Sequence, residues 1–255
     1  MKGRKVSLKR ISQTVWFDEM SMADVRECAR IRKVVILPVG SVEEHGDHLP
    51  LCTDSVQPEY VAVEVAKKTK CIIAPPVRYG VCNSARNFPG TLSMRFDSLR
   101  SLIQDILEEL IRNDFRRILV LSGHAGQAHM TALRLAAQET LRHYDKNMKQ
   151  DKPRIMVCSD YDFAYELKGE YFDERDGHAG AIETSRIMSI RPDLIKKIGR
   201  KSYPNLPRFE IVSDPQSYFP SGVIGDPTEA SSKKGKIVND YVVKHVAALV
   251  EELKR

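Results

Sequence analysis

The sequence predicts an α/β fold: a largely parallel central sheet covered by helices on both faces, formed by a single domain over residues 1–255. Three observations predict it. Short runs rich in Val, Ile and Leu alternate along the chain with longer segments whose apolar residues recur every three to four positions, the βαβα order that builds parallel sheets. The short runs are continuously apolar, as strands buried on both faces are. Glycine-bearing turns follow the strands, at the edge where open α/β sheets form ligand crevices. A chain of 255 residues buries such a core as one unit.

Residues 1–15 are polar and basic and are expected to run over the surface. Asp18–Arg30 reads as an amphipathic helix with Met22, Val25 and Ala29 on one face and Ser21 or Asp24 as its cap. Trp16, the sole tryptophan, is expected to pack that helix onto the core. Lys33–Val39 is a buried strand ended by Pro38-Val39-Gly40. Val56–Lys67 has a helical period, and Cys71–Ala74 is a second short strand closed by Pro75-Pro76. Val77–Met94 has neither period, and its Phe88-Pro89-Gly90-Thr91 turn marks it as a binding loop.

Asp97–Asn113 is strongly amphipathic, with Leu99, Ile103, Ile106, Leu107 and Leu110 as its apolar stripe. Arg117–Leu121 is a strand that runs into Ser122-Gly123-His124-Ala125-Gly126-Gln127, and Ala128–Tyr144 is the helix after it. Arg154–Ser159 is a further strand and Tyr161–Lys168 a short helix. Asp176-Gly177-His178-Ala179-Gly180 opens a helix that carries Glu183 and stops before Pro192. Lys196–Pro220 is irregular surface loop, Gly222–Pro227 a glycine-rich turn, and Lys236–Lys254 a closing amphipathic helix.

Composition narrows the function. No apolar run approaches the roughly 20 residues needed to cross a bilayer, so no membrane association is expected. Charges interrupt the N-terminal segment before a secretory apolar region develops. Five scattered cysteines without a Cys-x-x-Cys spacing suggest neither a disulfide framework nor a thiolate zinc knuckle, and a reducing cytoplasm fits. The net charge of +6 comes from short basic pairs alternating with acids rather than from a stripe, which argues against nucleic acid but favours an anionic small substrate.

One stretch concentrates the chemistry. Glu43, Glu44, His45, Asp47, His48 and Asp54 crowd the segment after the strand that ends at Val39. His124 and Glu183 arrive at two other strand or helix ends. Histidine with carboxylates, and no cysteine, suits Zn²⁺, Mn²⁺ or Fe²⁺ in a site that keeps water bound. Five such ligands, one of them a bridging carboxylate, suffice for two ions about 3.5–4 Å apart. Alternation from Glu43 turns Glu44 toward solvent, and Cys52 is expected to pack.

The run Pro38–Leu51 with Thr53-Asp54, then Phe88-Pro89-Gly90-Thr91, Gly123-His124-Ala125-Gly126, His178-Ala179-Gly180 with Glu183-Thr184-Ser185, and Gly225-Asp226-Pro227 closely resemble, in order, the signature of the creatininase (creatinine amidohydrolase) family. The resemblance implies a three-layer α/β/α fold, a centre of two divalent metal ions (Zn, Mn or Fe), hydrolysis of a non-peptide C–N bond, and a homo-oligomer built as a ring of dimers. By position, Glu43, His45, Asp54 and His124 match the family's metal ligands, with Asp54 as the bridge. Glu183 is the choice for the remaining carboxylate; creatininase offers a Glu two residues after the His that matches His124, a place held here by Gly126. The implied chemistry is attack by a metal-bound water whose pKa is drawn toward neutrality. His178, beside Asp176, would carry the proton to the leaving nitrogen, with Glu183 as its catalytic companion. His48 and Asp176 would orient a ligand or the substrate.

Two departures bear on the substrate. Creatininase places tryptophans near its site, whereas Trp16 lies outside these motifs, which argues against creatinine itself. The loop before Phe88 carries Arg86 where many relatives have a histidine nearby, and an arginine there can meet an anionic group. The expected substrate is therefore a small cyclic amide or formamide, with a formylamino-pyrimidine ribotide as one candidate. The competing reading is a peptide-maturation or non-catalytic protein of the same fold acting mainly through a protein or peptide partner.

Overall fold

The computed structural model describes residues 14–147, 150–205, 207 and 209–255. Its sheet has four parallel strands, β1 (Val35–Val39), β2 (Ile72–Ile73), β3 (Arg117–Ser122) and β4 (Arg154–Ser159), in the order β2-β1-β3-β4. Val35 stands opposite Ile72 on one side and Ile118 on the other, and Ile118 opposite Ile155. Among the described residues seven α-helices accompany the strands: α1 (Met22–Arg30), α2 (Thr53–Thr69), α3 (Phe96–Arg112), α4 (Gln127–Asn147), α5 (Tyr161–Ala164), α6 (Ala181–Ile190) and α7 (Ser232–Lys254). None among the described residues is long and apolar enough to cross a membrane.

Because successive strand side chains point to opposite faces, each strand feeds two cores. Ile36, Ile73, Leu119 and Leu121 pack with Val61, Val65, Val242, Val246 and other residues of α2, α6 and α7. Val35, Leu37, Ile118 and Val120 pack on the other face with Cys28, Leu99, Ile103, Leu107 and Leu133 of α1, α3 and α4. The three expected layers are these two helical sheets and the strands between them.

The connections place the site. From β1 the chain moves outward through α2 to β2, then returns past β1 through α3 to β3, and continues through α4 to β4. With right-handed crossovers, that reversal puts α2 on one face and α3 and α4 on the other. The loops leaving β1 and β3 therefore diverge and open a crevice at the C-terminal ends of the two central strands. Pro38 is tolerated in a central strand because β2 has already ended beside it. Its carbonyl accepts from Val77 N–H at 3.0 Å, and its missing N–H would point past the end of β2.

Some boundaries shift. Residues 1–13 lie outside the described residues, but the packed chain begins by Val15, whose carbonyl accepts from Ile73 N–H at 2.8 Å, extending the sheet edge. Trp16 joins the cluster on the α2–α7 face, whereas α1 lies on the opposite face. Phe17 and Met20 fasten α1 instead, with Phe17 edge-on to Phe115 at 5.7 Å. A reciprocal Ser21–Asp24 capping box starts α1 at Met22. Helix α2 begins at Thr53 rather than Val56, which moves Asp54 from a loop into a helical first turn.

Candidate metal centre

Four segments meet in the crevice. The loop after β1 brings Glu43, Glu44 and His45, and the first turn of α2 brings Asp54. The β3–α4 loop brings His124, and the turn opening α6 brings His178 and Glu183. Their convergence depends on missing atoms. Pro58, four residues after Asp54, has no N–H, so the Asp54 carbonyl lacks its helical partner. Gly123 presses onto that same turn: a Cβ there would fall 2.1 Å from the Asp54 carbonyl oxygen and 2.4 Å from Pro58 Cδ. Any side chain at 123 would push the His124 loop off the site.

Asp54 is the hinge of the constellation. Its Oδ1 lies 3.1 Å from His45 Nε2, and its Oδ2 lies 2.9 Å from His124 Nδ1. Ser41 Oγ donates to Oδ2 at 2.6 Å. Glu183 Oε2 stands 3.3 Å from His45 Nε2, and Glu43 Oε2 stands 3.1 Å from His124 Nδ1. One carboxylate thus separates two donor groups, His45 with Glu183 and His124 with Glu43. The other nitrogen of each imidazole faces a backbone carbonyl: His45 Nδ1 is 3.1 Å from Glu43 O, and His124 Nε2 is 3.0 Å from Val81 O. A carbonyl only accepts, so each ring puts its N–H there and presents its lone pair to the carboxylates.

Lone pairs facing carboxylate oxygens repel unless a cation lies between them. The donors fit one: the ligand atoms of His45, Asp54 and Glu183 lie within 4.8 Å of one another, as do those of Glu43, Cys82 and His124, and of Glu43, His45 and His178. Glu43 Oε2 is buried without a hydrogen-bond partner, because His124 Nδ1 is close but not aligned to donate. In the protein alone, protons take the cation's part. Burial would push the His45 imidazole down, but Asp54 and Glu183 beside it raise it to about 10. Burial likewise opposes the charge on His124, and Glu43 and Asp54 override it to hold that imidazole well above its usual range. Burial would raise the Asp54 carboxyl, yet His45 and His124 keep it well below.

His178 occupies a different position. Its Nε2 lies 2.8 Å from Glu44 O and 3.1 Å from Glu44 Oε1, and its ring is 4.4 Å from that of His45. Burial and His45 lower its imidazole, but the Glu44 carboxylate turns the balance upward. Glu44 itself is a correction: it is 5% exposed rather than solvent-facing. The alternation that turned it outward assumes an extended chain, and Gly46 at φ +61° breaks that geometry. Gly222, at φ +63°, lets the chain pass over Glu44, since a Cβ there would meet Oε2 at 2.0 Å.

The remaining sequence candidates divide. Asp176 accepts from Ala181 N–H at 2.7 Å and Ile182 N–H at 2.9 Å, so it caps α6 beneath Glu183. Burial raises its carboxyl to about 6 in spite of those bonds. His48 Nε2 lies 2.9 Å from Thr184 Oγ1 and ties the β1 loop to α6. Arg86 is exposed and is absent from the cavity wall. That cavity, about 300 Å³, is lined by Glu43, Asp54, His124, His178 and Glu183 together with Tyr161, Tyr165, Phe219 and Ile224. A larger hollow of about 1060 Å³ lies beside Arg32, Asp114 and Asp151, which lead into β1, β3 and β4 at the opposite edge of the sheet.

Two residues escaped the sequence reading. Cys82 is buried within the Glu43–His124 group, and burial, then the Glu43 carboxylate, push its thiol to about 12. His129, in the first turn of α4, accepts from Val81 N–H at 3.2 Å through Nδ1 and donates through Nε2 to Ser122 Oγ at 3.1 Å. It thereby fixes the residues on both sides of His124. No local motif marks either in the sequence.

These buried histidines predict an acid response. Burial and a neighbouring imidazole hold His48 down at about 4 and His129 at about 3. Both lie below the unfolded value of about 6.5. As pH falls from about 6.5 toward 4, the unfolded chain therefore binds protons that the folded chain refuses, and stability falls across that window. His129→Gln is expected to remove about one proton from the uptake on unfolding, read from urea midpoints against pH. An unchanged pH slope would refute the assignment.

A family model described as creatinine amidohydrolase (creatininase) matches residues 18–250. The creatinine amidohydrolase of Pseudomonas putida is 26% identical over 259 residues, covering 95% of this chain and 96% of that protein. The mycofactocin precursor peptide peptidase of Mycolicibacterium smegmatis is 30% identical over 214 residues, covering 80% of this chain and 78% of that one. A solved structure described as "Creatininase Mn" superposes with a TM-score of 0.86 at 25% identity, over 94% of this chain and 98% of the other.

Proposed function

The chain belongs to the creatininase family, and from that premise we propose that it is a metal-dependent amidohydrolase cleaving the C–N bond of a small cyclic amide or formamide. The observation that carries this reading is the convergence of His45 Nε2 and His124 Nδ1 on the two oxygens of Asp54, with the other nitrogen of each ring at a backbone carbonyl. Glu43, Asp54 and His124 would hold one divalent ion, and His45, Asp54 and Glu183 the other. When bound, such ions supply Lewis acidity and a water acidified toward neutrality.

The chain's own groups do the rest. His178 faces the cavity with its Nε2 anchored on Glu44, an orientation that lets the ring accept a proton from the attacking water and return it to the leaving nitrogen. Tyr161, Tyr165, Phe219 and Ile224 form a wall that limits bulk water around the scissile bond. Among the described residues no Lys or Arg lines the cavity, which supports an uncharged amide over a phosphorylated ribotide. The mycofactocin relative supports a second reading, hydrolysis of a precursor-peptide bond by the same centre.

Protein purified without added metal, analysed for its elements and assayed on creatinine, cyclic imides, formamides and short peptides, tests both. Turnover of a small amide that chelation abolishes and Zn²⁺ or Mn²⁺ restores supports the first; cleavage of peptides alone supports the second. His178→Gln is expected to lower kcat by about 10²–10⁴-fold with metal content intact. Loss of bound metal in that variant would make His178 a ligand instead.

A further inference from the structure

Of the five cysteines, Cys82 alone joins a group of potential ligands among the described residues. Its sulfur, a Glu43 carboxylate oxygen and a His124 ring nitrogen lie within 4.8 Å of one another. Both Cys82, 1% exposed, and Glu43, 2% exposed, are shut away from solvent. Glu43 Oε2, 3.1 Å from His124 Nδ1, has no hydrogen-bond partner, which desolvation makes costly.

The placement of Cys82 is built rather than incidental. Its own N–H donates to Ser93 Oγ at 2.9 Å. The residue before it holds the site twice: Val81 O faces His124 Nε2 at 3.0 Å, and Val81 N–H donates to His129 Nδ1 at 3.2 Å. The same two residues that orient the His124 ring thus deliver the sulfur. Beyond His124 the β3–α4 loop adds no side-chain donor, since Gly123, Ala125 and Gly126 carry none, and a Cβ at 126 would lie 2.6 Å from His124 Nε2.

We propose that Cys82 is a metal ligand, its thiolate joining Glu43 and His124 on one cation. The proposal rests on the metal-centre reading above. Ligation breaks the S–H bond, forms a sulfur–metal bond with the thiol's electron pair, and releases the proton to solvent. The two positions then differ in softness. A site with sulfur, nitrogen and oxygen donors selects Zn²⁺, while His45, Asp54 and Glu183 offer only nitrogen and oxygen and accept Zn²⁺, Mn²⁺ or Fe²⁺.

Cobalt substitution tests this without any assay of turnover. The Co²⁺-loaded protein is expected to show a near-ultraviolet sulfur-to-cobalt charge-transfer band, and Cys82→Ser to lose it. The same variant is expected to weaken Zn²⁺ binding by at least about tenfold, since even partners behind a ligand carry 10–100-fold. Should Cys82→Ser fail to fold, X-ray absorption of the Zn²⁺-loaded natural chain decides, with a sulfur shell at about 2.3 Å as the expected result. Cobalt bound with no such band, and zinc with no sulfur shell, would overturn the role of Cys82 and leave the metal centre standing. No cobalt or zinc bound at all would overturn the centre itself.

Discussion

Asp54→Asn is expected to lower kcat/KM by about 10²–10³-fold, the scale lost when a preorganised electrostatic partner of the reaction is removed, and to weaken binding of the metal ions that the proposed centre would hold. The two oxygens of Asp54 serve different histidines, 3.1 Å from His45 Nε2 and 2.9 Å from His124 Nδ1, at a residue only 2% exposed. Asparagine keeps the shape but removes the charge and turns one acceptor into a donor, which faces a lone pair it cannot share with a cation. The effect should fall on function rather than on folding. The imidazoles beside Asp54 are charged chiefly because of it and Glu43 or Glu183, and without it they lose protons instead of staying buried and unpaired. Elemental analysis, kinetics on whichever amide turns over, and a thermal melt read the three parts separately. Full metal content with activity within tenfold of the natural chain would refute the bridging role.

The largest loss of stability is expected at Arg186→Met. Arg186 and Asp160 are both fully buried, with Nη2 2.7 Å from Oδ2, and Arg186 Nε donates to Asn239 Oδ1 at 2.9 Å. These bonds pin α6, which carries Glu183, to the end of β4 and to α7. Burial already raises the Asp160 carboxyl, with Arg186 opposing it, so removing the guanidinium leaves an acid that must be protonated to remain inside. Breaking one side of such a pair costs about 3–5 kcal/mol, which at roughly 2–4 °C per kcal/mol for a chain of this size amounts to about 10 °C in Tm. Adding Asp160→Leu should recover most of that loss, because replacing both partners by apolar groups is often neutral. A single variant that melts within about 2 °C of the natural chain would show that the pair contributes little.

Much of the element order was legible because periodicity is local. The apolar stripe of α3 and the continuous apolar runs of β1 and β3 need only their own residues to be recognised. Glu43, His45 and His124 stood out because each follows a strand end, and the structure brings the two histidines to the carboxylates of Asp54 and Glu43. The start of α2 was not legible, since Cys52-Thr53-Asp54 follows a proline-bearing loop and Pro58 interrupts the helical pattern. The burial of Glu44 is not legible from alternation, because that pattern holds for extended chain and the turn at Gly46 ends it.

By itself the sequence determined the alternation of strands and helices, the family motif, and which carboxylates and histidines are close enough to strand ends to serve a crevice. Those are short-range properties, fixed by periodicity, turn residues and spacing. Only the tertiary structure decided what faces them: which nitrogen of each imidazole is free, that Glu44 backs His178, that Asp176 caps a helix, that Arg86 stays outside, and that Cys82 arrives beside Glu43. These outcomes depend on segments far apart in the chain meeting where the direction of winding reverses, and such meetings are set by packing and by the glycines that permit it.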